Sequence, residues 1–110
     1  MNAKPGLRRF ERTKVQSRAL LSFTGVHGHP VVVRAKVLDA SGSGARLEAE
    51  APVEPQTYVQ IRVQSPPFAA TASVRYCVRH KMDYCLGVEF VGGSKWPSSV
   101  EISNPTPQSN

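Results

Sequence analysis

Long apolar runs are missing from this 110-residue chain. Nothing approaches the roughly 18 consecutive apolar residues that a membrane-spanning helix needs, and the basic N-terminus has no apolar stretch behind it of the signal-peptide kind. A soluble, cytoplasmic protein without membrane insertion is the expectation. Cysteine is scarce: Cys77 and Cys85 are too few for a disulfide framework and lack the clustered spacing of a structural zinc site. Helical periodicity is scarce as well, since no long stretch in the middle of the chain repeats its apolar residues at the helical interval. No glycine loop opens a helix, so ATP and dinucleotide sites of the usual kinds are excluded.

Catalytic and metal groupings fare no better. His27 and His29 could offer two imidazoles from one turn, but no local spacing brings a third ligand beside them, so no metal is expected. Ser41, His80 and Asp39 lack any sign of the nucleophile elbow or oxyanion donors that hydrolytic chemistry requires. The chain does not read as an enzyme. Acidic residues are also in short supply, 8 against 14 lysines and arginines, for a formal charge of +6. Lys4, Arg8, Arg9, Arg12, Lys14 and Arg18 crowd the head of the chain against the single acid Glu11. That head seeks anions, without choosing among nucleotide, nucleic acid and acidic protein.

What the sequence has in plenty is period-2 alternation. Val15, Ser17, Ala19, Leu21 and Phe23 mark a first strand, ended by the turn residues Gly25, His27, Gly28, His29 and Pro30. Val31, Val33, Ala35 and Val37 share one face of a second strand, with Arg34 and Lys36 on the other. Ala45, Leu47 and Ala49 mark a third, stopped by Pro52 and Pro55; Val59, Ile61 and Val63 mark a fourth, stopped by Ser65-Pro66-Pro67. A final hairpin covers about 70–78 and 84–91. Six short strands with tight turns predict an all-β barrel or sandwich.

With Lys81 at the centre of the last turn, Ala72 faces Phe90, Val74 faces Val88 and Tyr76 faces Leu86, an inward apolar set. Cys77 then lies opposite Cys85, and two neighbouring thiols are expected in preference to a strained disulfide. Arg75 and Glu89 become diagonal surface partners. Phe23, Tyr76 and Phe90 are expected in the core, while Tyr58 and Phe68 remain candidate surface aromatics. Residues 94–102 could form a short helix, with Ser94 as cap and Trp96 and Val100 one turn apart. The expected organisation is a flexible lead of residues 1–6, one domain over 7–103, and a disordered tail over 104–110.

Two polar motifs remain. Arg8-Arg9-Phe10-Glu11-Arg12 has the pattern RxxxR, and Asp39-Ala40-Ser41-Gly42-Ser43-Gly44 has the pattern DxSxxG. With the later Val74-Arg75-Tyr76 and Leu86-Gly87-Val88-Glu89-Phe90, the chain from about Leu7 to Gly92 resembles the PilZ domain, a bacterial family of small barrels that bind cyclic dimeric GMP. The resemblance implies a six-stranded antiparallel β-barrel of split-barrel type with a flexible N-terminal arginine segment. It also implies ligand-binding roles for Arg8, Arg12, Asp39, Ser41 and Gly44, to which Arg9 is a natural addition. No cofactor is implied; the ligand is cyclic di-GMP, and a separate protein partner is expected to receive the signal.

The residue types suit that ligand. Arginine's planar fork can donate paired bonds to a phosphate or to guanine O6 and N7, and its flat face can stack on a purine. Asp39 can accept from guanine N1 and N2 or hold an arginine in place; Ser41 can bond a phosphate or cap the turn. Gly44 suits a close backbone approach or a positive φ. Arg34 and Arg46 could extend the positive surface, although arginines on outer strand faces more often serve solubility. Two other readings compete: a PilZ-like adaptor that binds no ligand, and a basic barrel that binds nucleic acid without specificity.

Overall fold

A computed structural model describes residues 13–97, and the arginines of the RxxxR motif lie outside them. Six strands follow in order: β1 (Thr13–Thr24), β2 (Pro30–Ala40), β3 (Gly44–Ala49), β4 (Tyr58–Val63), β5 (Phe68–His80) and β6 (Asp83–Phe90). They close into an antiparallel barrel in the order β1-β2-β3-β6-β5-β4, with β1 returning to pair with β4. Closure pairs every described strand with a neighbour on each side, which limits the open edges that make sheets prone to edge-to-edge association. The expected barrel is the one observed.

Alternation explains which side chains fill it. On β4, Val59, Ile61 and Val63 are buried while Tyr58, Gln60 and Arg62 are exposed. Leu21, Leu47, Leu86, Val37 and Val74 meet them inside and are almost wholly withdrawn from water. Each such aliphatic side chain contributes about 1.5–3 kcal/mol relative to an exposed position. Phe90 closes one end by packing edge-on against Phe68 at a centroid distance of 5.2 Å, and Phe68 meets Trp96 at 5.0 Å. Phe68 is therefore part of the core's end and not a surface aromatic, whereas Tyr58 is exposed.

The loops are tied down by backbone bonds. Gly25 and Gly28 close the β1–β2 turn, Gly28 at φ 83°, where a side chain would be strained. In the connection from β3 to β4, Val53 plugs the core, the Gln56 amide donates to the Val74 carbonyl, and the Val74 amide donates to Thr57. Ser17 Oγ donates to the carbonyl of Ser65, the residue joined to Pro66 by a cis peptide bond. Beyond β6, residues 94–97 have no helical structure, and the remainder of the expected short helix lies outside the described residues.

The last hairpin departs from the expected register in one half. Ala72 faces Phe90 and Val74 faces Val88 as expected, but the next pairs are Tyr76 with Gly87, Cys77 with Leu86 and His80 with Asp83. The loop has two residues, Lys81 and Met82, with Lys81 at φ 58°. A two-residue loop offsets the ladder by one position from a register centred on Lys81. The bulge at Arg75 absorbs that offset by setting Arg75 and Tyr76 together against Gly87. Both therefore face outward, and Tyr76 is 42% exposed instead of lying in the core. Cys77 turns inward against the apolar cluster, while Cys85, paired with Val78, lies on the opposite side of the sheet. The cysteines are not opposed, and both are free thiols.

Candidate functional site

A second bulge occurs in β2. Val37 pairs with Leu47 and Asp39 with Arg46, so Leu38 is the extra residue. Strict alternation after Val33 and Val37 would send Asp39 into the barrel; the bulge turns it to the outer side, beside Arg46. On β3 and β6, Arg46 pairs in turn with Gly87, and Gly87 with Tyr76. The bulged strands β2 and β5 thus contribute the ends of one transverse row, Asp39–Arg46–Gly87–Tyr76. Lys14 of β1 stands opposite Asp39.

The row forms the floor of a cavity of about 580 Å³, walled by Ser41, Ser43 and Gly44 on one side and by Arg75 and Glu89 on another. Asp39 is only 9% exposed, and both Nε and Nη2 of Arg46 donate to its Oδ2, at 2.9 and 2.6 Å. Charge-assisted bonds of this kind fix the plane of the guanidinium. The Asp39 hydrogen bond, reinforced by its charge, raises the Arg46 pKa further above its ordinary value. Arg46 is therefore a permanent cation, held by a buried acid, with its side chain still half exposed toward the cavity.

Tyr76 owes its place to Gly87. A Cβ at position 87 would lie 2.1 Å from Tyr76 Cε2, so the ring lies across the space that glycine leaves open. Its exposed surface faces the cavity that Arg46 also lines. At the rim, Arg75 and Glu89 form the expected surface pair, Nη1 to Oε1 3.4 Å.

The turn from Asp39 to Gly44 is built largely on its own backbone. The Ser41 amide donates to the Gly44 carbonyl at 2.8 Å, and the Ser41 hydroxyl approaches the same oxygen at 3.5 Å, a loose contact. Two more bonds pin the turn: the Phe90 amide donates to Ser43 and the Trp96 amide to Gly42. Gly44 does not have a positive φ. Its need is for close approach, because a Cβ there would lie 2.4 Å from the Val88 carbonyl oxygen. The conflict is with the neighbouring strand.

Of the six site residues expected from sequence, Asp39, Ser41 and Gly44 meet at this cavity, while Arg8, Arg9 and Arg12 lie outside the described residues. Thr13, the residue after Arg12, pairs with Ala40 inside the DxSxxG motif. β1 therefore begins beside that turn. The cavity is also lined by Arg46, which the sequence reading left outside the candidate site, and by Tyr76, which it had placed in the core. The available signal was Gly87, a glycine inside an otherwise regular strand, which marks a bulge or a close approach.

The barrel thus carries a cation-bearing depression beside a glycine-rich turn. The family model of the PilZ domain matches residues 6–95, and the chain belongs to the PilZ domain family, whose members are typically receptors for cyclic di-GMP and not known catalysts. The chain matches no curated protein. Among the described residues there is no helix long and apolar enough to cross a membrane.

Proposed function

We propose that this chain is a cyclic di-GMP receptor whose ligand lies over the Asp39–Arg46–Gly87–Tyr76 row and is clasped by Arg8, Arg9 and Arg12. The observation that carries the reading is the start of β1 beside the DxSxxG turn: Thr13, the residue that follows Arg12 in the sequence, pairs with Ala40. The cavity supplies what a guanine dinucleotide needs. Arg46 is a fixed cation for phosphate or for guanine's acceptor edge, and the Tyr76 ring is a flat surface on which a base can stack. Ser41 has a hydroxyl only loosely engaged with its own turn. Ordering of the arginine segment over the ligand changes the surface offered to a separate protein, which is how a binding domain without catalysis transmits a signal.

The test is calorimetric titration of the chain with cyclic di-GMP at low and high salt, with GTP and cyclic di-AMP as controls and Arg12→Ala and Asp39→Ala as variants. Saturable binding of cyclic di-GMP alone, lost in both variants, is the expected result. An absence of heat together with an unchanged NMR spectrum would leave an adaptor that does not bind the nucleotide. Steeply salt-dependent binding without preference among the three nucleotides would favour the basic head acting as a nonspecific anion binder.

A further inference from the structure

Away from the ligand cavity, the outer face of β1, β2 and β4 carries a different arrangement. The register sets Arg62, Leu20 and Arg34 side by side across β4, β1 and β2, with Arg18 opposite Lys36 in the next outward row. All four cations are exposed, and they surround Leu20, 46% exposed, with Val32, 63% exposed, diagonal to it. A depression of about 600 Å³ runs along this face. The acids that line it, Glu48, Glu50 and Asp83, stand only on its β3 and β6 side. Glu50 reaches Arg34 at 3.7 Å and Glu48 stands opposite Lys36, so the excess positive charge of the patch is concentrated on its β1 and β4 side, at Arg18 and Arg62.

We infer that this face is a docking surface for an acidic protein segment bearing an apolar side chain, which would rest on Leu20 and Val32 while its carboxylates meet Arg18, Arg34, Lys36 and Arg62. An apolar centre with a charged rim is the anatomy of a protein interface. No aromatic ring lines the depression, so the stacking platform that single-stranded nucleic acid uses is missing here. The acids on the β3 side set the polarity of docking, since an acidic partner is repelled there and drawn toward β1 and β4. The inference rests on the preceding reading only in taking a protein as the recipient of the signal. None of the four cations lines the ligand cavity.

The experiment is NMR titration of the isotope-labelled full chain with three probes: a short blocked peptide of glutamates flanking paired leucines, the same peptide with lysines for glutamates, and a single-stranded oligouridylate. The acidic peptide is expected to move amide signals of β1, β2 and β4 and to bind about tenfold more weakly to the Arg18→Glu/Arg62→Glu variant, as removal of complementary charge predicts. Shifts confined to the N-terminal head, tighter oligouridylate binding on this same face, concentration-dependent shifts without any probe, or no shifts at all would each overturn the inference. Cyclic di-GMP titrated into the same variant is expected to bind as it does to the parent chain. Peptide binding without nucleotide binding would keep this inference and remove the previous one.

Discussion

The two halves of β5 obey different rules. From Phe68 to Ser73 it pairs with β4 in an unbroken ladder, Val63 opposite Phe68 through Tyr58 opposite Ser73. From Val74 onward it pairs with β6 across a bulge, and two successive side chains, Arg75 and Tyr76, face the same way. The regular half turns Ala70 and Ala72 into the core at the pleat's interval. In the other half an offset set by a tight loop is absorbed beside the cavity, where it presents a ring to the floor and a charge to the rim. The candidate site is built on local exceptions to the pleat, and Leu38 in β2 repeats the device.

The largest expected effects test whether the bulged half is packed as well as the regular one. Ile61→Ala in β4 and Leu86→Ala in β6 remove buried side chains from the strands paired with the regular and the bulged half, and each is expected to cost about 2–5 kcal/mol in urea unfolding. Similar losses would mean that the bulge leaves the core beneath it intact; a much smaller loss at Leu86 would mean that it does not. Gly44→Ala comes next, at about 1–3 kcal/mol, because the new methyl must push β3 away from the Val88 carbonyl. A variant as stable as the parent would show that the close approach is not needed.

Binding effects sharpen the same contrast. Gly87→Ala displaces the Tyr76 ring, and Tyr76→Ala removes it; both are expected to weaken cyclic di-GMP by about tenfold, the worth of one base–aromatic stack, with Tyr76→Phe nearly unchanged. Equal affinity for all three variants would remove Tyr76 from the site. The smallest effect is expected at the rim, where a double-mutant cycle on Arg75 and Glu89 should give a coupling of about 0.5 kcal/mol or less. A larger coupling would make the rim a structural clamp.

Much of this fold is legible in the sequence because alternation reports which face of a strand is buried. Val33, Val37, Leu47, Ile61, Val74 and Leu86 were all readable as core in that way. The bulges were not readable in the residues that form them, since each depends on how two strands and their loop share a register; only Gly87, across the ladder from Tyr76, signalled one of them. Misreading the loop after His80 by one residue sufficed to turn Tyr76 inward and to set Cys77 against Cys85. At the site, DxSxxG announced Asp39, Ser41 and Gly44. The partnership of Asp39 with Arg46 required the third strand to be laid beside the second, and the reason for Gly44 required the sixth to be laid beside the third.

The bond from the Trp96 amide to the Gly42 carbonyl gives the protein an optical reporter of its own. Trp96 is the chain's single tryptophan, its indole is packed against Phe68 and withdrawn from water, and its backbone is fastened to the middle of the DxSxxG turn. Any event that moves that turn pulls on the residue whose emission dominates the intrinsic fluorescence. Occupancy of the cavity should therefore register as a change in tryptophan emission, without a label and at a distance from the ligand itself.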